Sequence, residues 1–355
     1  MTYRVVQWGT GNVGMHALRA IIGHPELELA GLVVHSRSKV GRDAGELAGG
    51  GPVGVLATDD VDAVLATRPD CVSYMATGDL RPHEATTDIC RVLEAGVNVV
   101  STSLVSLVYP PAAPDTAGVQ RLEEAARAGA ASMFTSGIDP GFANDLLPMA
   151  LLGTCERVDS VRVMEILNYD TYDQAEVLFS TMGFAQPLDA EPLLLLPGVL
   201  STAWGPTVHM LAVGLGVELD GLEEWHERRP AQRTFEIPAG KVEEGTTAAL
   251  RFEVRGMLDG RAAVVLEHVT RLTDDIAPDW PQPAYGGCYR ILVEGSPSYT
   301  VDVGLRGDDG DHNTGGLVAT AMRVLNAVPA VCAAPPGLLT PMDLPLVTGR
   351  GLLRR

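Results

Sequence analysis

Hydrophobic positions along the chain fall into two regimes. Over the first 150 residues, apolar runs of strand length alternate with stretches of helical period. Val5-Val6-Gln7-Trp8, Leu29–Val34, Cys71–Ala76, Val97–Val100 and Ala131–Thr135 are the runs. Between them Val13, Ala17, Ala20 and Ile21, then Pro82–Ala95 and Thr116–Gly129, read as amphipathic helices. Leu56–Thr67 reads as a further short strand and helix, and Gly41–Gly54 as a loop. Alternation of this kind predicts a parallel sheet covered on both faces. Beyond residue 150 the pattern changes. Ser160–Asn168, Phe235–Pro238, Thr247–Met257 and Arg261–Thr273 read as strands, the last two joined at Leu258-Asp259-Gly260, a hairpin signal. Tyr289–Val293 and Ser298–Gly304 form a second hairpin. Tyr172–Met182 and a segment opening at Pro206 and running to about Val217 are expected to be helical, as is Thr314–Ala327; the tail from Gly337 looks irregular.

The fold class this predicts is α/β. Residues 1–150 should form a doubly wound parallel sheet that binds a nucleotide. Residues 151–310 should form an α+β unit on a largely antiparallel sheet, whose open apolar face would carry substrate and dimer contacts. The helix and tail over 311–355 should dock back on the first unit.

Gly9-Thr10-Gly11-Asn12-Val13-Gly14 lies between the first strand and the first helix. In that position GxGxxG is the dinucleotide fingerprint: a tight turn, close approach of a pyrophosphate to bare backbone, and close helix packing. The helix N-terminus adds free N–H groups and a positive dipole end. The second strand ends in His35-Ser36-Arg37-Ser38-Lys39, where an NAD enzyme carries an acid. Ser36, Arg37 and Lys39 suit a 2′-phosphate, so the expected cofactor is NADP(H) rather than NAD(H). In such a sheet ligands bind at the carboxyl ends of the strands. That adds Ala76, Thr77 and Gly78, with Ser101 and Thr102, to the expected cofactor groove. The turn Gly137-Ile138-Asp139-Pro140-Gly141-Phe142 should join the domains, with Asp139, Pro140 and Gly141 near the nicotinamide. Ser103, Phe142, Asn168, Tyr169 and Tyr172 are expected to line the substrate pocket.

Composition narrows the function. A net charge of -19 over 355 residues speaks against a nucleic-acid partner, and against it the Ser36–Lys39 cluster stands out. The five cysteines are scattered and none forms CxxC, which reads as reduced thiols in a cytoplasmic protein with no metal site. The first strand is expected to begin almost at Met1, so no leader is expected. Leu193–Val217 is interrupted by Pro197, Gly198, Pro206 and His209 and reads as a buried helix region, so no membrane association is expected.

The opening motif, the Gly137–Phe142 turn and Asp311-His312-Asn313-Thr314-Gly315-Gly316 together resemble the dihydrodipicolinate-reductase-like NAD(P)H-dependent oxidoreductases. The nearest branch is that of 2,4-diaminopentanoate dehydrogenase and the native amine dehydrogenases. The resemblance implies a homodimer that reduces an imine, or oxidises the amine, in a cleft between two domains. It also brings Asn313 into the expected cofactor set. The histidine-rich stretch of true dihydrodipicolinate reductases is absent; His209, His226 and His268 look isolated. The amine-dehydrogenase branch places a catalytic Glu in the loop matching Ser101–Pro110, shortly before a Tyr-Pro pair. Here Tyr109-Pro110 is present and the carboxylate is not. The proton-transfer group should then come from the second domain, Glu165 first and His209 second, and ammonia-dependent turnover should be weak or absent. Two alternatives stay open: a carbonyl reductase without amination activity, and a nucleotide-binding sensor without catalysis.

Overall fold

The computed structural model describes residues 2–353; Met1, Arg354 and Arg355, at the ends of the expected first domain and docking tail, lie outside them. The chain divides into two compact units, Met1–Ile138 with Leu317–Arg355, and Asp139–Gly316. The boundaries thus fall at 138 and 316 rather than at 150 and 310.

In chain order the elements are β1 (Tyr3–Trp8), α1 (Asn12–Gly23), β2 (Leu27–Val33), α2 (Ala44–Leu47), β3 (Ala57–Thr58), α3 (Val61–Leu65), β4 (Cys71–Tyr74), α4 (Pro82–Glu94), β5 (Asn98–Ser101), α5 (Thr116–Gly129) and β6 (Ser132–Thr135). Then follow α6 (Leu146–Leu152), β7 (Arg157–Asn168), α7 (Val199–Gly214), β8 (Gly221–Pro230), β9 (Phe235–Ile237), β10 (Gly240–Val242), β11 (Thr247–Leu258), β12 (Arg261–Arg271), β13 (Cys288–Ser296) and β14 (Tyr299–Val303). The chain ends with α8 (His312–Leu325), α9 (Val328–Ala333) and β15 (Gly337–Leu339).

The first unit holds a seven-stranded sheet in the order β15-β6-β5-β4-β1-β2-β3, every pair parallel. The chain leaves β1 for β2 on one side and reaches β4 on the other, so the strand order reverses at the carboxyl end of β1, where doubly wound sheets bind ligands. Helices α4 and α5 cover one face through Ile89, Leu93, Leu122 and Ala126. On the other, Ala321, Val324, Leu325, Val328 and Val331 pack with Val5, Ile21, Cys71 and Phe134. His312–Ala333 is long and apolar enough to cross a membrane by length and composition. Its stripe from Ala321 to Val331 is the core layer just described, which makes it a helix pair of this core. The tail expected to be irregular contributes β15, paired with β6. Three residues are too few to show a period.

The second unit is built on a six-stranded sheet, β14-β13-β7-β12-β11-β8, antiparallel except for the β7–β12 pair. The Asp259-Gly260 turn has both residues at positive φ, 51° and 72°, the backbone that matches strand twist in a tight hairpin. Helix α7 begins at Val199, not at Pro206, which lies inside it. Leu200, Val208 and Leu211 are buried in the core with Phe252 and Val254, and that burial carries the helix through the missing N–H. The expected helix over Tyr172–Met182 is reduced to one wide turn, Glu176–Thr181. Strand β8 escapes the pattern because Glu223, Glu224, Glu227, Arg228 and Arg229 load both faces of an edge strand with charge.

The sheet face away from α7 is ionic, not apolar as expected. Glu253 and Glu267 are buried there among Arg162, Arg251 and Arg255, with Arg162 Nη1 2.7 Å from Glu253 and Arg251 Nε 2.7 Å from Glu267. The guanidinium groups of Arg251 and Arg255 flank the Trp225 ring at 5.4 and 5.6 Å. Charges this deep persist only when paired on several sides.

Candidate active site

In the first unit the Gly9–Gly14 turn is packed from two sides and open on the third. Gly9 has φ +96°, and a Cβ there would meet the Met75 carbonyl oxygen at 2.8 Å. A Cβ on Gly14 would collide with the carbonyl oxygen of Gly9, which also accepts from Gln7 Nε2 at 2.9 Å. The third glycine therefore serves close packing of α1 on the turn itself. A Cβ on Gly11 would have nothing within 4 Å. Gly11 caps α1 without a side-chain hydrogen bond, and the first helical turn holds no acid. An open approach to uncapped N–H groups fits a dinucleotide pyrophosphate.

The β2 end is organised by its own contacts. Lys39 Nζ donates to Thr10 Oγ1 at 2.8 Å and to Thr10 O at 3.2 Å, which ties this loop to the glycine turn. Ser36 and Ser38 share a hydroxyl bond at 2.8 Å. Arg37 is exposed and makes no ion pair or hydrogen bond among the described residues. At the next strand ends, Ser103 Oγ donates to Ala76 O, and Ser101 Oγ holds the Ser103 backbone from both sides. Gly78 is required there, since its Cβ would lie 2.9 Å from that of Ser103. Thr77 and Thr102 follow β4 and β5 in the same two loops.

The second unit concentrates its chemistry in one transverse row of the sheet. Strand register places His226 opposite Phe252, Phe252 opposite His268, His268 opposite Glu165, and Glu165 opposite Tyr289. His268 Nδ1 lies 3.3 Å from Glu165 Oε1, and Nε2 lies 3.2 Å from Asp139 Oδ2. Tyr169 Oη donates to Glu165 Oε1 at 2.9 Å, and Tyr289 hydrogen-bonds the same carboxylate. Trp204 Nε1 donates to Asp139 Oδ1 at 2.9 Å. The side chains of His268, Glu165 and Asp139 are all more than nine-tenths buried.

Burial alone would push the His268 pKa down. The two carboxylates outweigh it and raise it to about 10, so the ring is an imidazolium with a carboxylate at each nitrogen. Tyr169 and Tyr289 are pushed well up, first by burial and then by Glu165. Tyr172, stacked on Tyr169 at 4.8 Å, is raised to about 12 for the same reasons. Asp139, Glu165 and His268 also form the one set of potential metal ligands among the described residues. The imidazole meets the two carboxylates through opposite nitrogens. The arrangement is a buried carboxylate–imidazolium–carboxylate relay, a row of groups that can exchange protons.

The expected site residues distribute unevenly over these two places. Glu165 and Tyr169 lie in the relay. Asp139, expected with the cofactor, commits both carboxylate oxygens inside the second unit. Pro140 is buried beside it, Gly141 N donates to Asn144 Oδ1 at 2.8 Å, and Phe142 is half-buried. Asn168 is occupied by Asp274 Oδ1 and the Asp170 N–H. Asn313 Nδ2 donates to Asn168 O and Thr171 Oγ1, fixing the start of α8 to the end of β7. His209 stands apart from the relay: five residues past Trp204, it points about 140° round the helix.

His268 is not isolated, as the sequence suggested. It and Asp139 are the relay members that sequence reasoning did not assign to proton transfer. The available signal was one ionisable residue at a core-facing position in each of two apolar strands, Val264-x-Leu266-x-His268 and Val161-x-Val163-x-Glu165.

A doubly wound sheet with an open glycine turn, followed in the chain by a largely antiparallel sheet unit with buried ionisable groups, fits the class of nicotinamide-dependent dehydrogenases. Residues 142–351 match the 2,4-diaminopentanoate dehydrogenase C-terminal domain family. The chain is 43% identical over 355 aligned residues to an amine dehydrogenase from Streptomyces virginiae, covering 99% of this chain and 98% of that protein. It is 23% identical over 298 residues to the 2,4-diaminopentanoate dehydrogenase of Acetoanaerobium sticklandii, covering 81% and 79%. The fold matches that of the amine dehydrogenase from Mycobacterium smegmatis with a TM-score of 0.79 at 22% identity, over 98% and 97% of the two chains. The protein belongs to this dehydrogenase family and is an NAD(P)-dependent oxidoreductase.

Proposed function

We propose that the protein is an NADP(H)-preferring amine dehydrogenase, reducing the imine of a small carbonyl compound and ammonia or oxidising the corresponding amine. The observation that carries this reading is the Asp139–His268–Glu165 relay, in a chain 43% identical to an amine dehydrogenase over its whole length. Gly9–Gly14 and the α1 N-terminus would hold the pyrophosphate of the cofactor, with Ser36 and Arg37 on its 2′-phosphate. A bound nicotinamide supplies or accepts the hydride. Condensing a carbonyl with ammonia requires a proton to leave the attacking nitrogen and another to reach the departing oxygen. Glu165, fixed by Tyr169, Tyr289 and His268, takes and returns that proton. It stands in for the carboxylate that the Ser101–Pro110 loop lacks, and on this reading ammonia-dependent turnover is substantial. The relay also favours an enzyme over a sensor, since ionisable groups with strongly perturbed pKa values concentrate where chemistry is done.

Oxidation of NADPH with a panel of small ketones and aldehydes, with and without ammonia, tests the reading. Amine formation that requires ammonia is expected. Equal consumption without ammonia would identify a carbonyl reductase, and binding without turnover a sensor. The cofactor assignment has its own test in Arg37→Ala. A charge-assisted hydrogen bond contributes about 1.5–3 kcal/mol. Calorimetric titration should therefore show a loss of NADPH affinity of about ten- to a hundredfold, with NADH affinity unchanged. A wild type that prefers NADH would reject the assignment.

A further inference from the structure

Glu165 and His268 are brought together by strand register, but Asp139 is not. It comes from the turn before α6, and a separate contact must aim it. That contact is Trp204. Its indole N–H takes Asp139 Oδ1 and leaves Oδ2 to face His268. The same ring lies edge-on to the imidazole, with centroids 4.7 Å apart at 62°, and tilts against Phe252 at 4.9 Å. Phe252 stacks on the imidazole at 4.6 Å and 15°. A carboxylate thus lies at each ring nitrogen of His268, and the two aromatic rings pack on the imidazole. The 3.2 Å contact between Asp139 and Nε2 is an ion pair that lacks the alignment of a hydrogen bond. Its geometry therefore depends on what fixes the carboxylate from the other side.

We propose that Trp204 is a positioning residue of the reaction, holding Asp139 and His268 in line with Glu165 through its indole N–H and its ring. The proposal rests on the dehydrogenase reading above. The charged and titratable groups around His268 are Asp139 from the turn, Glu165 from β7, and Tyr169 and Tyr289 on Glu165. Helix α7 and strand β11 present only Trp204 and Phe252 to it, both uncharged. His226, beyond Phe252 in the row, has its pKa lowered by burial and by Arg228 against an opposing pull from Glu224, which favours its neutral form.

Trp204→Phe keeps a ring in place and removes the N–H. Asp139 is then free to turn away, and His268 holds its proton less tightly. Two readouts test this on the full-length protein: a histidine ring titration by 15N NMR, and the pH profile of kcat with NADPH saturating. In the variant the His268 pKa is expected to fall by about one unit or more, a tenfold change in the proton equilibrium. The basic limb of the kcat profile should move down with it, and KM for NADPH should stay constant. A lower Tm with the titration and the basic limb unmoved would overturn the proposal, leaving Trp204 as packing. The wild type gives a check that needs no variant. The Trp204 indole proton should shift as His268 titrates, and a resonance indifferent to that titration would also overturn it. Absence of any amine or imine turnover in the wild type would reject the functional reading alone, because the NMR titration still reports whether Trp204 holds the relay.

Discussion

Glu165→Gln is expected to lower kcat for amine formation by about 10²–10⁴-fold, the range that a positioned proton-transfer group contributes. That corresponds to about 3–5 kcal/mol of barrier. The substitution keeps the shape of the side chain and removes its charge. Tyr169 and Tyr289 hydrogen-bond this carboxylate and His268 pairs with it, so an amide in its place puts an N–H₂ where an acceptor is needed. His268 also loses one of the two carboxylates that raise its pKa to about 10, and burial, which acts in the opposite direction, gains weight. The variant should therefore hold a neutral imidazole at pH values where the wild type is charged. Steady-state rates with saturating NADPH and ammonia check the effect, and an unchanged kcat would remove Glu165 from the mechanism. Gln at this position still fits the sheet row, so the first unit and its cofactor affinity should be unaffected.

The same imidazolium sets a pH dependence of stability. Its folded pKa of about 10 lies above the ordinary value near 6.5. Its contribution is fully present below about pH 6.5 and is lost as pH rises through about 10. The sign follows from a proton that the folded state binds more tightly than the unfolded chain.

Local elements were legible in the sequence because their determinants are local. The GxGxxG turn between a strand and a helix, the Asp259-Gly260 hairpin and the helix ending at Gly129 each depend on a few neighbouring residues. Pro206 misled for the same reason: its local meaning is a helix start, and only the packing of Val199–Gly214 on the sheet overrides it. The candidate site was half legible. Glu165 could be singled out as a carboxylate on an inward-facing strand position. His268 could not be paired with it, because their contact depends on β12 running parallel to β7 in a sheet whose other pairs are antiparallel. No hairpin signal marks a parallel pair separated by some hundred residues. Asp139 looked like part of a turn because its role depends on Trp204, which reaches it from a helix far along the chain.

Gly11→Val is expected to abolish measurable dinucleotide binding, at least about a hundredfold in affinity, while leaving the fold intact. Gly11 has φ −74° and ψ −168°, extended backbone that valine adopts without strain. A Cβ there meets nothing within 4 Å, so neither the turn nor α1 need shift. The change at an N-cap without a side-chain bond costs about 1 kcal/mol or less. The open space is what a pyrophosphate needs for contact with the N–H groups of α1, and two methyl groups would occupy it. Gly14→Ala gives the contrast. Its Cβ would strike the Gly9 carbonyl oxygen, and Gly9 is itself closed in, since the space beside it is taken by the Met75 and Ala76 backbone that a Cβ there would meet. That variant should lose stability first and binding as a consequence. Thermal unfolding and calorimetry on both proteins separate the two effects. The expected pattern is a near wild-type Tm without binding for Gly11→Val, and a lowered Tm for Gly14→Ala. Retained affinity in a folded Gly11→Val protein would show that this turn does not carry the dinucleotide.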